Sequence, residues 1–183
     1  MAKKESIVLG SGNIYIKEYS GELPEIDAIC VEENRLGHVS GGATLTYEPS
    51  YYEAKDDMGR VKKSIITEEK ATLKSGIITF SAATLNRLVD TGRVTEDSAK
   101  KRRTIKIGGI SNATNKSYAI CFHHPDKVDG DVWVEVVGRN QAGFELSFTK
   151  DKETVIDAEF TCEPSDAEGT LINYVEADAT IGA

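Results

Sequence analysis

Cysteine and histidine are scarce in this chain, and long hydrophobic runs are missing. The three cysteines, Cys30, Cys121 and Cys162, are odd in number and widely spaced. Such cysteines do not form a disulfide framework, so we expect free thiols and a reducing compartment. The apolar run at residues 7–9 is too short for the core of a signal peptide or for a membrane span. We therefore expect no export signal and no membrane partner.

Basic residues are also few, and they are missing from the last part of the chain. The formal net charge is -8, because 22 Lys and Arg stand against 30 Asp and Glu. Tight binding to phosphate needs an excess of Lys and Arg, so this balance argues against a protein that holds DNA or RNA. Residues 153–183 lack Lys and Arg, whereas one basic block stands in the middle of the chain, Lys100, Lys101, Arg102 and Arg103. This asymmetry predicts a contact between the basic block and an acidic segment across a subunit boundary.

Alternation of apolar and polar residues dominates the sequence and is typical of strands with one buried face. The pattern occurs in NIYIKEY, GATLTYE, RTIKIGG, DVWVEVVG, GFELSFT, TVIDAEFTC and TLINYVEA. Residues 81–92 predict a helix, because Ser81 can cap its start and Gly92 follows its end. We therefore predict one mainly β domain over residues 1–183, a β-sandwich or barrel whose one helix plugs an open end or covers a sheet edge.

Residues 48–71 interrupt the compact pattern of strands. They carry alternating charges around a turn at residues 56–59, with too few large apolar residues for a core. A long excursion inside a compact domain is usually functional or mobile, so we predict a protruding loop or hairpin that becomes ordered by packing on something else. The other boundaries are an N-terminal lead-in at residues 1–12 and an acidic C-terminal segment at about residues 163–183.

The stretch AICFHHPDKVDGD, residues 119–131, combines a thiol, two imidazoles and several carboxylates. On a strand, Cys121 and His123 would face the same side, but no spacing supplies the other two ligands of a zinc site. The acids lack the spacing of a calcium loop, and neighbours on one strand cannot supply the third group and oxyanion site of a Cys–His nucleophile. We therefore predict no metal, no cofactor and no catalytic residue here, and we interpret Asp129-Gly130 as a tight hairpin turn.

Glu135 and Glu145 are expected on adjacent strands of the next hairpin, whose other face carries Val and Phe for a core. Two such carboxylates could act as general acid and base. More often they belong to a solvated sheet face. The same pattern is also typical of a hairpin that turns its polar face to a lumen.

The order and spacing of several degenerate motifs extend over nearly the whole chain. They are LGSGNIYIKEYSGELPE, LGHVSGGATLTYEPSYYEAKDDMGRVKKSIITEEKATLKSGIITF, RTIKIGG, a Val-rich hairpin running through GFELSFTKDKETVIDAEFTCEP, and GTLINY. In this order they resemble bacteriophage major tail proteins, the subunits of the tail tube. The resemblance implies a mainly β subunit, a β-sandwich or half-barrel with one flanking α-helix. Six such subunits would form a hexameric ring around one shared inner β-barrel, and the rings would stack into a tube.

The same resemblance implies a structural role in the virion tail, with assembly in the cytoplasm of a bacterial host. Its implied partners are other copies of the chain and the tape-measure, tail terminator and distal tail proteins. Viral DNA would pass through the lumen without tight binding. The lead-in and the acidic C-terminal segment resemble long non-contractile tails more than contractile tails or injection systems.

Individual residues receive roles within this resemblance. We expect the inner wall around residues 42–47, 73–80, 131–138 and 143–149. Glu135 and Glu145 are expected to line an acidic lumen that repels DNA. The segment at residues 48–71 is expected to bridge rings, with tyrosines as anchors and charges that set the register: Tyr47, Tyr51, Tyr52, Asp56, Asp57, Arg60, Lys62 and Lys63.

Two alternatives of other classes remain open. A monomeric β-sandwich module that binds carbohydrate or a cell surface would explain the strands and the acidity. It predicts an aromatic platform, whereas only 7% of the residues are aromatic. A small β-barrel enzyme is the weaker alternative, because the sequence offers no catalytic constellation.

Overall fold

The computed structural model describes residues 8, 10–178 and 181. Strands account for 47% of the chain and helices for 9%, which confirms the mainly β class. The predicted lead-in at residues 1–12 lies mostly outside the described residues, as does the end of the C-terminal segment. The strands are β1 Asn13–Glu18, β2 Arg35–Lys55, β3 Lys62–Ile77, β4 Arg93–Asp97, β5 Arg102–Lys106, β6 Tyr118–His124, β7 Val132–Asn140, β8 Ile156–Glu163 and β9 Asn173–Glu176. The α-helices are α1 Ile26–Ile29 and α2 Ala82–Arg87, and 3-10 turns lie at Glu32–Asn34 and Ile110–Asn112.

Six strands close on themselves within one chain. The order is β6-β1-β2-β3-β8-β7, every neighbouring pair is antiparallel, and β7 pairs back with β6. A closed sheet of this kind leaves no free edge where its strands are paired. The closure differs from the half-barrel that the resemblance implies.

Two further pieces are attached to this closed sheet. Strand β9 pairs with the first half of β7, Val132 to Glu135, while β8 pairs with the second half, Val137 to Asn140. Strands β4 and β5 form a separate two-stranded hairpin.

All six strands of the closed sheet contribute to one apolar core. Its fully buried members include Ile14, Leu36, Leu73, Ile120, Val136 and Phe160. Strand alternation places the neighbours of these residues on the outer face. There a second, smaller cluster forms beneath α1, with Tyr15, Ile29, Ala119 and Cys121.

The predicted helix is present as α2, and Ser81 caps it as expected. The Ser81 hydroxyl accepts a hydrogen bond from the Thr84 backbone N–H at 3.4 Å, and the Thr84 hydroxyl accepts one from the Ser81 N–H at 3.1 Å. This reciprocal box satisfies two N–H groups that the first turn leaves unpaired. Leu85 and Leu88 pack against the main core. The helix ends at Leu88 and not near Gly92.

The strand predicted for GFELSFT is wrong, because residues 143–149 are irregular. Strands β8 and β9 already occupy the edge of β7 on which this segment would have paired. Phe144 and Leu146 still pack against the core, which explains the alternation. The Asn140 amide donates to the Gly143 carbonyl at 2.6 Å and so directs the chain away from the sheet.

The two-residue turn predicted at Asp129-Gly130 is also wrong. Residues 125–131 form the connection between β6 and β7, and of the two predicted turn residues only Gly130 has a positive φ, 94°. The Asp126 carboxylate accepts from the N–H groups of Val128 at 2.8 Å and Asp129 at 3.1 Å. These bonds stabilise the ionised carboxylate and lower the pKa of Asp126. Asp126 therefore organises a longer loop in place of the tight turn.

The β2–β3 hairpin extends well beyond the closed sheet. Strand β1 pairs with β2 only from Arg35 to His38, and β8 pairs with β3 only from Thr72 to Ile77. Past these contacts, residues 47–71 form a ribbon of two strands. We call residues 47–71 the arm; it contains the predicted excursion at residues 48–71.

Candidate functional site

The arm exposes an aromatic and β-branched pair on each of its two faces. Tyr51 lies opposite Ile66, and Tyr52 lies opposite Ile65. Successive residues of a strand point to opposite faces, so the two pairs lie on different faces. All four side chains are about half exposed: Tyr51 60%, Tyr52 61%, Ile65 49% and Ile66 50%. Both faces of the arm are therefore able to make apolar contacts.

One of these faces continues the core outwards. Leu73 is fully buried, and its cross-strand partner Leu45 is 37% exposed. The next residue of β2 on that face, Tyr47, is 47% exposed, and Tyr51 follows it. On this face of β2, the side chains are therefore apolar or aromatic from the core onto the arm, as far as Pro49.

Two bulges shape the hairpin. Gly41 and Gly42 are extra residues of β2 with φ of 80° and 77°, and Thr67 is an extra residue of β3. The Thr67 hydroxyl donates to the Ser50 carbonyl at 3.3 Å. Bulges bend a strand and increase its twist, so these positions determine the direction of the arm.

The tip of the arm is a turn organised by Asp56. Its carboxylate accepts from the Val61 N–H at 2.8 Å, and its carbonyl accepts from the Gly59 N–H at 2.9 Å. Gly59 has a φ of 67°, which favours glycine. Met58 and Val61 are each 69% exposed. The tip is therefore an ordered turn that presents two apolar side chains.

Charged groups along the arm pair with one another. Glu53 contacts Lys62 across the strands and Lys55 at 3.4 Å. The Tyr47 hydroxyl donates to the Glu69 carboxylate, and this hydrogen bond raises the pKa of Tyr47. Exposed pairs of this kind contribute little stability. Their effect is to fix the register of the two strands.

The arm brings together every residue for which the sequence predicted a bridging role. Tyr47, Tyr51 and Tyr52 lie on β2, the acidic and arginine positions lie in the turn, and the two lysines begin β3: Asp56, Asp57, Arg60, Lys62 and Lys63. Sequence reasoning missed Met58, Val61, Ile65 and Ile66. The isoleucines are adjacent in KKSIITEEK and are flanked by charged residues. The segment therefore lacks the apolar–polar alternation that marks a half-buried strand.

The basic block lies in the separate β4–β5 hairpin. Lys100 and Lys101 belong to its turn, while Arg102 and Arg103 begin β5. Two of the four cations have acidic partners in the same hairpin: Arg103 contacts Glu96 at 2.7 Å and Lys100 contacts Asp97 at 3.5 Å.

Glu135 does not fit the predicted lumen wall. Its side chain is buried, with 4% exposed, between its cross-strand neighbours Cys121 on β6 and Asn173 on β9. One carboxylate oxygen accepts from the Asn173 amide at 2.8 Å, the other has no hydrogen-bond partner among the described residues, and burial raises the pKa of Glu135. Glu145 is exposed but lies in the irregular segment. The two do not lie on adjacent strands, so they form no acid–base pair.

The histidines of the 119–131 stretch have separate partners. The Nε2 atom of His123 lies 2.8 Å from Asp131, and the His123 ring stacks on Trp133 at 5.2 Å. The Nδ1 atom of His124 donates to the Ser11 carbonyl at 2.8 Å. In the part of the chain that the structure describes, no three His, Cys, Asp or Glu side chains cluster as metal ligands would.

Comparisons with known proteins assign no family to this chain. A scan against models of protein families finds no match, and a search of curated proteins finds no similar sequence. Among the helices within residues 10–178, none is long and apolar enough to cross a membrane.

Proposed function

We propose that this chain is a structural protein that assembles with copies of itself through the arm, as the tube subunit of a long non-contractile phage tail. The observation that carries the proposal is the arm itself. It is a two-stranded ribbon with half-exposed apolar side chains on both faces, extending from an otherwise closed sheet.

A ribbon of this kind needs a partner surface to be stable. An isolated two-stranded hairpin is marginal in water at best. Covering the exposed halves of Tyr51, Tyr52, Ile65 and Ile66 would contribute on the order of 3–5 kcal/mol per arm. The residues from 48 to 55 span about 26 Å at 3.3 Å per residue, which is enough to reach onto the surface of a neighbouring subunit.

The closed sheet restricts how a ring can form. Strands that are paired on both sides cannot pair with another chain. Within residues 10–178, unpaired edges lie on the arm and on the β4–β5 hairpin. A wall shared by six subunits would therefore be built from these edges, by head-to-tail contacts that close into a ring.

The ring, the conduit and the other tail proteins in this proposal are those that the resemblance in sequence implies. Stacked hexameric rings would form the conduit for viral DNA, and the ends of the tube would meet the tape-measure, terminator and distal tail proteins. The net charge of -8 suits a conduit that does not hold DNA.

The arrangement of the tyrosines argues against a carbohydrate-binding module. Such a module predicts one aromatic platform, but Tyr47 and Tyr51 lie on one face of the arm and Tyr52 lies on the other. An arm that is apolar on both faces fits an element inserted between two protein surfaces.

Negative-stain microscopy with light scattering tests the proposal. The purified chain should form rings or tubes of uniform width as its concentration rises. Deletion of residues 56–60 should shorten the arm and prevent stacking. A chain that stays monomeric at high concentration, or one that forms normal tubes without residues 56–60, would contradict the role of the arm.

A further inference from the structure

Two of the three cysteines lie in contact, although they are far apart in sequence. The Sγ atoms of Cys30 and Cys121 are 3.5 Å apart and 91 residues separate them. Cys30 follows α1 and is partly exposed, whereas Cys121 lies in β6 and is fully buried. Both are free thiols. A contact of this length needs only a small side-chain movement to reach the 2.05 Å of a disulfide.

A row of side chains on the outer face of the sheet surrounds this pair. Tyr15, Cys121, Glu135 and Asn173 are successive cross-strand neighbours on β1, β6, β7 and β9. Ile29 of α1 packs over the same row, and Cys30, the next residue in the chain, also packs against it. The thiol pair is therefore held between a helix end and the sheet.

The two thiols differ in reactivity. Either sulfur can donate in this contact, and donation from the Cys121 S–H stabilises a thiolate on Cys30 and lowers the pKa of Cys30. The same bond, together with burial, raises the pKa of Cys121. Because Cys30 is partly exposed and Cys121 is fully buried, an external disulfide reaches Cys30 first. Cys30 is therefore the attacking group and Cys121 the group that resolves.

We propose that Cys30 and Cys121 form a redox-active pair that a small disulfide of the glutathione class oxidises to an intrachain disulfide. The Cys30 thiolate attacks one sulfur of the oxidant, forming a mixed disulfide and releasing one thiol. Cys121 then loses its proton and attacks the Cys30 sulfur, which releases the second thiol. The net reaction converts two protein thiols and one external disulfide into one protein disulfide and two external thiols.

Glu135 is placed to assist the second step as a general base. It lies opposite Cys121 in register, and one of its carboxylate oxygens is buried without a hydrogen-bond partner in the part of the chain that the structure describes. That oxygen is available for the Cys121 proton. Two further carboxylates act on these side chains. Asp27 disfavours ionisation of Cys30, and Glu25 disfavours ionisation of Glu135.

Cys162 provides a control within the same chain. Burial raises the pKa of Cys162 to about 11, and it packs against the main core and not beside the pair. It is therefore expected to stay reduced under the conditions that oxidise the other two.

The first experiment equilibrates the protein with glutathione buffers of increasing oxidation and maps the products by mass spectrometry. We expect loss of two hydrogens and a peptide that links Cys30 to Cys121, in the wild type and in Cys162→Ser. Cys121→Ser should stop at a mixed disulfide on Cys30. A wild type that keeps glutathione on Cys30, that dimerises through Cys30, or that stays reduced even in the most oxidising buffer would overturn the proposal.

The second experiment measures the rate of ring closure from the mixed disulfide as a function of pH. Glu135→Gln should slow closure about tenfold or more and change the pH profile, while the equilibrium potential moves little. Glu145→Gln, at an exposed position, should match the wild type. An unchanged rate and pH profile in Glu135→Gln would show that Glu135 takes no part in the reaction. Formation of the disulfide would still be decided by the first experiment.

Discussion

Tyr52 and Ile65 face each other across the two strands of the arm, and each leaves about half of its side chain in solvent. Pairs of this type stabilise a sheet when something covers them. Nothing within the described chain covers this pair. Assembly is therefore expected to depend on it.

Replacing this pair tests the arm as an interface. Tyr52→Ser with Ile65→Ser should raise the concentration needed for assembly about thirtyfold, because each of the two sites loses on the order of 1 kcal/mol of apolar burial. Light scattering across a dilution series measures the change. Ile110→Ser is the matched control, since Ile110 is 94% exposed and lies off the arm. An equal effect of the control would mean that general surface polarity, and not the arm, decides assembly.

The tip of the arm should depend on its glycine. Gly59→Val forces a β-branched residue into a φ of 67° and should cost about 1–2 kcal/mol in the turn. Hydrogen exchange of residues 53–64 should accelerate, while thermal unfolding of the closed sheet stays the same. Asp57→Ala in the same turn should leave both measurements unchanged. Equal protection in Gly59→Val and the wild type would show that the turn is not formed as described.

Two phenylalanines provide a matched test of the core. Phe160 is fully buried, whereas Phe148 is 79% exposed in the irregular segment. Phe160→Ala should lower the free energy of unfolding by about 3–5 kcal/mol, and Phe148→Ala by less than about 0.5 kcal/mol. Urea unfolding followed by Trp133 fluorescence measures both. A large loss for Phe148→Ala would restore the strand predicted at residues 143–149.

Glu135 should make stability depend on pH. Burial raises its pKa, so the folded chain holds the proton more tightly than the unfolded chain. The stabilisation is complete below the ordinary pKa of glutamic acid and is lost as pH rises through the raised pKa. Glu135→Gln should therefore be more stable than the wild type at neutral pH and equal to it in acid. Urea midpoints at both pH values check this, with Glu145→Gln as the control; a destabilised Gln variant at neutral pH would contradict it.

The basic block should act through charge if it contacts another subunit. Arg102→Glu is expected to weaken assembly at low salt and to do so less at high salt, because screening shortens the range of such contacts. Lys150→Glu makes the same charge change on the exposed segment after β7. Equal effects of the two variants would assign the result to net charge.

Local signals in the sequence predicted most of the fold. Alternation located the strands around Ile14, Val136 and Phe160, and the cap at Ser81 located α2. Alternation predicted a strand wrongly at Phe144 and Leu146. An irregular segment can also place every second side chain in a core, without pairing to another strand. Whether a partner exists depends on β8 and β9, which are distant in sequence.

The site was predicted in position but not in detail. Charge and length indicated that residues 48–71 protrude, and the arm contains them. The burial of Glu135 was missed because it depends on its cross-strand neighbours, Cys121 on β6 and Asn173 on β9. The contact between Cys30 and Cys121 was missed for the same reason, since 91 residues separate them. Such contacts follow from topology and not from local pattern.

The closed sheet separates two processes by their reaction order. Six strands complete their hydrogen bonding inside one chain, so folding is a first-order event whose midpoint should not depend on dilution. In the proposed assembly, the apolar faces of the arm are covered by a second chain, so this step would follow mass action. A cell could accumulate folded subunits below a threshold concentration and begin polymerisation only when a nucleus offers the first covered arm.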